Sequence, residues 1–292
     1  MNIATPETLA PDLIDIKSKQ KATWSSGNYA AVGTTVQIVG ENLAEAMDLR
    51  PDARVLDVAA GNGNATLAAA RRSCDVVSTD YVPSLLRGGA ARAEAEQLTV
   101  AFREADAEDL PFDASSFDHV MSTFGVMFAA DQDTAADEML RVCRSGGTIG
   151  LANWTPESFI GEVFRTIGRH VPPPAGVHSP LEWGTEGRLQ ELFGDQATRI
   201  DFKKRHFTFR VRSPQYWVEH WREVYGPMHK AFAAVGERAP ELAADLIAVA
   251  RDHSTDAQAM IVPAEYAEVI ICLLYTSPSP RDRTRSRMPS SA

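Results

Sequence analysis

The chain carries only three cysteines, Cys74, Cys143 and Cys272, among 292 residues. Their spacing fits neither a metal-ligand set nor a disulfide framework. No apolar run is long enough to cross a bilayer. The opening residues M-N-I-A-T-P-E-T-L-A-P-D lack the basic start and apolar stretch of a secretory signal. A cytoplasmic location is therefore the expectation. Positive charge is scarce too: 29 Lys and Arg face 39 Asp and Glu, for a formal net charge of −10. A surface that tracks nucleic acid needs clustered basic side chains. The densest group before residue 272 is Lys203, Lys204 and Arg205, so neither a nucleic-acid partner nor a membrane span is expected. What remains is an ordinary globular composition, 44% hydrophobic and 23% charged. Its length can bury a full core as one large domain or one domain with an insertion.

Composition changes abruptly at the end. Residues 272–292 turn to Ser, Pro and Arg, and C-L-L-Y-T-S-P-S-P-R-D resembles the in-frame translation of a transposase-type sequencing adapter. This stretch is expected to be adapter-derived and is excluded from fold reasoning. Without its four Arg and its one Asp, Asp282, the net charge falls from −10 to −13.

Residues 54–154 alternate strand and helix patterns, the signature of a parallel sheet covered by helices. R-V-L-D-V is a short apolar strand. A Gly-bearing loop follows, then a helix beginning near Asn64. D-V-V-S-T-D, T-V-A-F-R-E-A-D and D-H-V-M-S-T read as three further strands. D-T-A-A-D-E-M-L-R-V has helical spacing, Gly146–Gly147 is expected to stop it, and T-I-G-L-A-N-W is a fifth strand. Residues 33–48 read as a helix ahead of the sheet, and S-S-G-N-Y-A-A-V-G before it as a loop able to act as a lid. Downstream come an amphipathic helix, a P-P-P-A-G break and a strand or hairpin at R-I-D-F-K-K-R-H-F-T-F-R-V. Residues 214–253 are helical and separate the last two strands. Pro263 in the closing strand argues for a sheet edge or a bulge. The organisation expected is N-terminal helices and lid over 1–50, a ligand-binding core over 51–155, an acceptor-binding cap over 156–271, and the tail.

The chemistry begins at V-L-D-V-A-A-G-N-G-N, residues 55–64. A buried strand delivers Asp57, and Gly61 and Gly63 let the backbone turn tightly against a ligand. The next helix points its N-terminal amides there. In a doubly wound sheet, ligands bind in this crevice at the carboxyl ends of the strands. The second strand ends in Asp80, an acid able to accept both hydroxyls of a ribose. This pair fits a nicotinamide dinucleotide or S-adenosylmethionine (SAM). Thr66, where the dinucleotide fingerprint wants Gly or Ala, favours SAM. So does Asp57, which would repel a pyrophosphate but suits an ammonium or sulfonium.

With further motifs in order, residues 54–154 resemble the class I SAM-dependent methyltransferases, in particular the group similar to ubiquinone and menaquinone C-methyltransferases. V-L-D-V-A-A-G-N-G resembles the first motif, with Ala59 where Gly is commoner, and V-S-T-D-Y the second. A-D-A-E-D-L-P-F at 105–112, F-D-H-V-M-S-T-F-G-V at 117–126 and L-R-V-C-R-S-G-G-T-I-G-L-A-N-W resemble those that follow. The resemblance implies an α/β fold: a doubly wound, Rossmann-like, seven-stranded sheet with an antiparallel closing strand and a helical insertion over the active site. It implies SAM as cofactor and no metal. The cofactor residues it implies are Asp57, Ala59, Gly61, Asn62 and Gly63 of the loop, and Asp80 with Tyr81 at the ribose. Asp106 and Ala107 would meet the adenine, and Thr123 and Phe124 the methionine part. Tyr29 would lie over the ligand as a lid residue.

Acceptor and base are less legible. Six of the seven histidines lie after residue 155, with no His–Asp or Cys–His constellation, and no catalytic residue is assigned. Trp154, Trp183, Trp217 and Tyr225 are candidates to wall an apolar acceptor pocket, although aromatics at helical spacing fit an ordinary core equally well. The function expected is methyl transfer to a small molecule on carbon, oxygen or nitrogen. The alternatives are a SAM-binding protein without catalysis and a nicotinamide oxidoreductase.

Overall fold

The computed structural model describes residues 12–275. Residues 1–11 and the tail from Thr276 onward lie outside the described residues. Among the described residues seven strands form one sheet: β1 Arg54–Asp57, β2 Asp75–Asp80, β3 Ala101–Glu104, β4 Phe117–Thr123, β5 Cys143–Trp154, β6 Ala197–Val211 and β7 Met260–Leu273. Their spatial order is β3-β2-β1-β4-β5-β7-β6. The first five run parallel, and β7 lies antiparallel to both β5 and β6. This is the seven-stranded, Rossmann-like sheet with the antiparallel closing strand that the sequence led one to expect. The central strands are apolar on both faces because helices cover both: Val55, Leu56, Val120 and Met121 are fully buried.

Eleven helices follow the chain among the described residues: α1 Leu13–Trp24, α2 Tyr29–Gly33, α3 Gln37–Ala46, α4 Asn64–Arg71, α5 Pro83–Ala95, α6 Gln132–Val142, α7 Phe159–His170, α8 Glu186–Phe193, α9 Pro214–Val224, α10 Gly226–Val235 and α11 Ala239–His253. Their starts are written in the sequence. Asp131, Ser158, Thr185 and Ser213 each accept a backbone N–H of the first turn that would otherwise lack a partner. Chain order moves outward from β1 through β2 to β3, then returns to the other side of β1 with β4 and β5. The reversal between β1 and β4 opens a crevice at their carboxyl ends, and this positions the site.

Three expectations are corrected. The pair Gly146–Gly147 does not stop α6. The helix ends at Val142 and β5 begins at once, with the glycines inside the strand where its register against β4 shifts between Phe117 and His119. Gly146 has φ 69°, and a Cβ on Gly147 would meet the Asp118 carbonyl oxygen at 2.7 Å, so a bulge consumes both glycines. The loop expected at 25–33 is helical from Tyr29. The boundary expected at Ile271 falls inside β7. Cys272 and Leu273 continue its pairing, and the Leu274 N–H donates to the Gln196 carbonyl at 2.8 Å. Pro263 lies where β7 overhangs β5 and pairs with β6 alone, so its missing N–H interrupts no ladder. No helix among the described residues is long and apolar enough to cross a membrane.

Candidate active site

A cavity lies in the crevice where the strand order reverses. Its walls come from the ends of β1, β2 and β4, the turn after β3, and the N-terminal helices. Its polar half is a row of acids, Asp57, Asp80, Asp106 and Glu108; its apolar half includes Trp24, Tyr29, Val126 and Phe128.

Asp57 ends β1 and is 1% exposed. One carboxylate oxygen accepts the Thr66 hydroxyl at 2.6 Å, while the other, Oδ1, is buried without a partner. Burial pushes this carboxyl up to about 7, against the lowering effect of the Thr66 hydrogen bond. A buried acceptor without a donor is costly, so Asp57 Oδ1 marks a place where a ligand's donor is wanted. The Thr123 hydroxyl, on the same cavity, is likewise buried and unpartnered.

Asp80 ends β2 and organises the loop opposite. Its oxygens accept the Gly61 N–H at 2.9 Å and the Val82 N–H at 2.8 Å. Burial pushes its carboxyl up to about 6, opposed by those backbone hydrogen bonds. Each oxygen keeps a further lone pair for a ligand hydroxyl. Gly61 has φ 58°, and a Cβ there would lie 3.3 Å from the Tyr29 ring, so glycine serves both the turn and the close approach of Tyr29. The loop's asparagines fasten the N-terminal helices: Asn62 donates to Thr34 Oγ1 at 3.1 Å and Asn64 to the Gly33 carbonyl at 2.7 Å. Tyr29 is thereby fixed over the loop, with its hydroxyl pushed up to about 12, first by burial and then by the Asp80 charge.

After β3, Asp106 accepts the Glu108 N–H at 3.0 Å and Ala107 lines the cavity beside it. From above, Lys17 of α1 reaches Asp106 Oδ2 at 2.6 Å and Glu108 Oε2 at 2.8 Å. At the exit of β4, Phe124 has φ 57°, strained for a bulky residue, and its ring stacks on Trp154 at 3.9 Å.

Of the residues proposed from sequence for the cofactor, Tyr29, Asp57, Ala59, Gly61, Asn62, Asp80, Tyr81, Asp106, Ala107, Thr123 and Phe124 all line this one cavity. Gly63 does not. With φ 83° it caps α4 and turns the chain behind the loop. The four acceptor candidates also stand off the cavity lining. Trp183 and Trp217 are fully buried core residues, the first against Phe193, the second against Phe159 and Trp221. Trp154 sits one layer back, behind Phe124. Tyr225 packs behind Trp24 and Tyr29, at 5.8 and 6.4 Å between ring centres. The apolar wall is instead supplied by residues that sequence reasoning passed over, Trp24 and Phe128, with Lys17 and Gln20 beside the acids. A signal existed: Lys17, Gln20 and Trp24 fall at i, i+3 and i+7, one face of a helix, but that face is too polar to read as amphipathic.

A methyltransferase domain matches residues 56–151, the span that carries the acid row and the glycine loop. An uncharacterized protein of Mycobacterium tuberculosis (strain ATCC 25618 / H37Rv) is 38% identical over 258 residues, 86% of this chain and 94% of that protein. The chain belongs to the class I methyltransferase family. The demethylmenaquinone methyltransferase of Deinococcus radiodurans is 38% identical over 138 residues, 46% of this chain and 57% of that enzyme. The crystal structure of the YcgJ protein from Bacillus subtilis shares the fold, with a TM-score of 0.57 at 18% identity over 81% of this chain and 99% of that one. Ala59, where the resemblance expects glycine, has φ 52°, a left-handed conformation that glycine adopts without strain. The Ala59 carbonyl instead abuts Gly125, where a Cβ would approach to 2.1 Å, so a glycine at the β4 exit accommodates the loop.

Proposed function

We propose that the chain binds SAM across the acid row and transfers its methyl group to a small-molecule acceptor. The observation that carries this reading is the order of the row. Asp57, Asp80 and Asp106 stand at or just past the ends of β1, β2 and β3, which are neighbours in the sheet. Neighbouring strands lie about 4.8 Å apart, so the row spans about 10 Å. That suits an ammonium, a ribose and an adenine laid side by side. Asp57 Oδ1, buried and without a donor, fits the ammonium. Asp80 accepts the two ribose hydroxyls, and Asp106 the adenine amino group, with the Ala107 amide reaching a ring nitrogen. Thr123 and Phe124 lie beside the methionine part.

When bound, SAM supplies an activated methyl group, so the protein's task is alignment and exclusion of water. Tyr29, Phe124, Val126 and Phe128 bound the space beyond the acids, with Trp24 as its outer wall. Such a wall favours a flat, largely apolar acceptor over a polymer, and the acidic body agrees. Methylated carbon, oxygen and nitrogen are all compatible with it. Calorimetry with SAM, S-adenosylhomocysteine and NAD tests the cofactor; micromolar NAD binding without SAM heat would end the proposal. Formation of S-adenosylhomocysteine in the presence of a metabolite extract tests the catalysis.

A further inference from the structure

The segment that carries Asp106 and Ala107 has little to hold it from its own strand. β3 is four residues long, lies at the edge of the sheet, pairs with β2 alone and is largely exposed. Such an edge opens more readily than the central strands. Within the segment the bonds are local. Asp106 accepts the Glu108 N–H at its side chain and the Asp109 N–H at its carbonyl, at 3.0 and 3.1 Å. Firmer anchorage comes from α6.

Glu138 and Arg141 stand three residues apart on α6, so their side chains leave the same face. Neither lines the cavity. Arg141 donates to the Phe112 carbonyl at 2.6 Å and to the Leu110 carbonyl at 2.8 Å, while Glu138 Oε2 accepts the Leu110 N–H at 2.7 Å. Two further bonds, at 2.6 and 2.7 Å, join the guanidinium to the carboxylate. Such charge-assisted forks fix geometry as well as supplying energy. Among the described residues, these two side chains bond only to each other and to this segment. They take up both backbone polar groups of Leu110, which is 3% exposed, much as a neighbouring strand would. Nearer the cavity, Glu108 Oε1 accepts the Asp131 N–H at the start of α6, at 3.0 Å. The span from Ala105 to Asp109 thus runs between a weak edge and a helix, and the helix sets where it stands.

We propose that Glu138 and Arg141 are positioning residues for the ring-binding end of the site. From outside the cavity they fix the segment that carries Asp106 and Ala107, and so set how sharply the protein tells an adenine from a ring without its amino group. The proposal rests on the cofactor reading above for the identity of that ring. A hydrogen bond to the amino group is lost when the carboxylate moves by about 1 Å, whereas apolar contact with the ring faces survives such a shift. Loosening the segment should therefore erode selectivity for adenine, and not merely lower affinity or stability.

Calorimetry on the full chain compares S-adenosylhomocysteine with S-inosylhomocysteine, whose ring carries an oxo group in place of the amino group. Wild type should prefer the first by about 10- to 100-fold, the worth of one hydrogen bond to a charged group. In Arg141→Ala and in Glu138→Ala that ratio should fall at least about fivefold, mainly through weaker binding of S-adenosylhomocysteine. Arg141→Lys, which keeps the charge but not the fork, should be intermediate. Glu138→Gln, whose side-chain oxygen still accepts the Leu110 N–H, should restore most of the ratio. The penalty for the 2′-deoxy form of S-adenosylhomocysteine should be the same in every variant, because the ribose end is held by other residues. If Arg141→Ala does not fold, Arg141→Lys and Glu138→Ala decide by the same ratio. A ratio unchanged from wild type, with both ligands weakened alike, would mean that the pair serves the fold alone, and the proposal fails while the cofactor reading stands. If wild type itself does not bind S-adenosylhomocysteine, or binds both ligands equally, the cofactor reading fails and takes the proposal with it.

Discussion

Replacing Asp80 separates the duty the structure shows, holding the loop, from the one proposed for it, holding a ribose. Charge-assisted bonds from a carboxylate to two hydroxyls contribute about 1.5–3 kcal/mol each before water replaces part of them. Asp80→Ala should therefore weaken SAM binding by about 2–4 kcal/mol, roughly 30- to 1,000-fold. The structure adds a second cost. The same carboxylate accepts the Gly61 and Val82 N–H groups, so alanine also leaves two buried donors without partners. Each is worth about 1–3 kcal/mol of fold stability. Asp80→Asn is the cleaner variant, because its amide oxygen still serves one of those donors. It should cost about 1–2 kcal/mol in affinity, roughly 5- to 30-fold. The pH dependence follows from the raised carboxyls, Asp80 at about 6 and Asp57 at about 7. A ligand that donates to both binds the ionised forms. Affinity should rise with pH through this range, level off above it, and be accompanied by proton release near its middle. The sign for the free protein is opposite. With folded values above the unfolded ones, these two carboxyls contribute stability at low pH that is lost as pH climbs through about 6–7. Calorimetry at several pH values, in buffers of different ionisation enthalpy, reads both effects. Unchanged affinity in Asp80→Asn together with a flat pH profile would refute the placement of the ribose.

Trp217→Ala should reduce stability by about 3–5 kcal/mol by leaving a cavity in the core, read as a large drop in Tm, and not act selectively on acceptor turnover. A stable variant with a purely kinetic defect would return Trp217 to the acceptor pocket. Ala59→Gly should be neutral or stabilising by up to about 1 kcal/mol, since it relieves a left-handed alanine; a clear loss of denaturant midpoint would contradict this. Truncation after Ile271 should lower Tm relative to truncation after Tyr275, because Leu273 is buried and Leu274 bonds Gln196. Equal melting of the two would place the boundary where the composition changes.

The parallel core was legible where a strand is a short apolar run closed by a carboxylate, as in V-L-D before the loop and D-V-V-S-T-D before Tyr81. The acid row followed, since a strand's end fixes where its last side chain stands. The apolar wall of the cavity was not legible. Helical spacing brings Trp217 and Trp221 to one side of α9, but spacing does not say whether that side meets a cavity or the core. The wall came instead from Trp24 and Phe128, one on a helix whose inner face is half charged, the other in a single helical turn after β4. Gly146–Gly147 misled for a related reason. Two glycines suit a helix stop and a bulge alike, and only the register against β4 separates them.

The crystal structure of the chain with S-adenosylhomocysteine tests the central claim most directly. The expected electron density puts the ribose hydroxyls on Asp80, the adenine amino group on Asp106 and the ammonium on Asp57 Oδ1, with the sulfur turned toward Phe124 and the apolar wall. A ligand bound elsewhere, or one that leaves Asp57 Oδ1 without a donor, would contradict it.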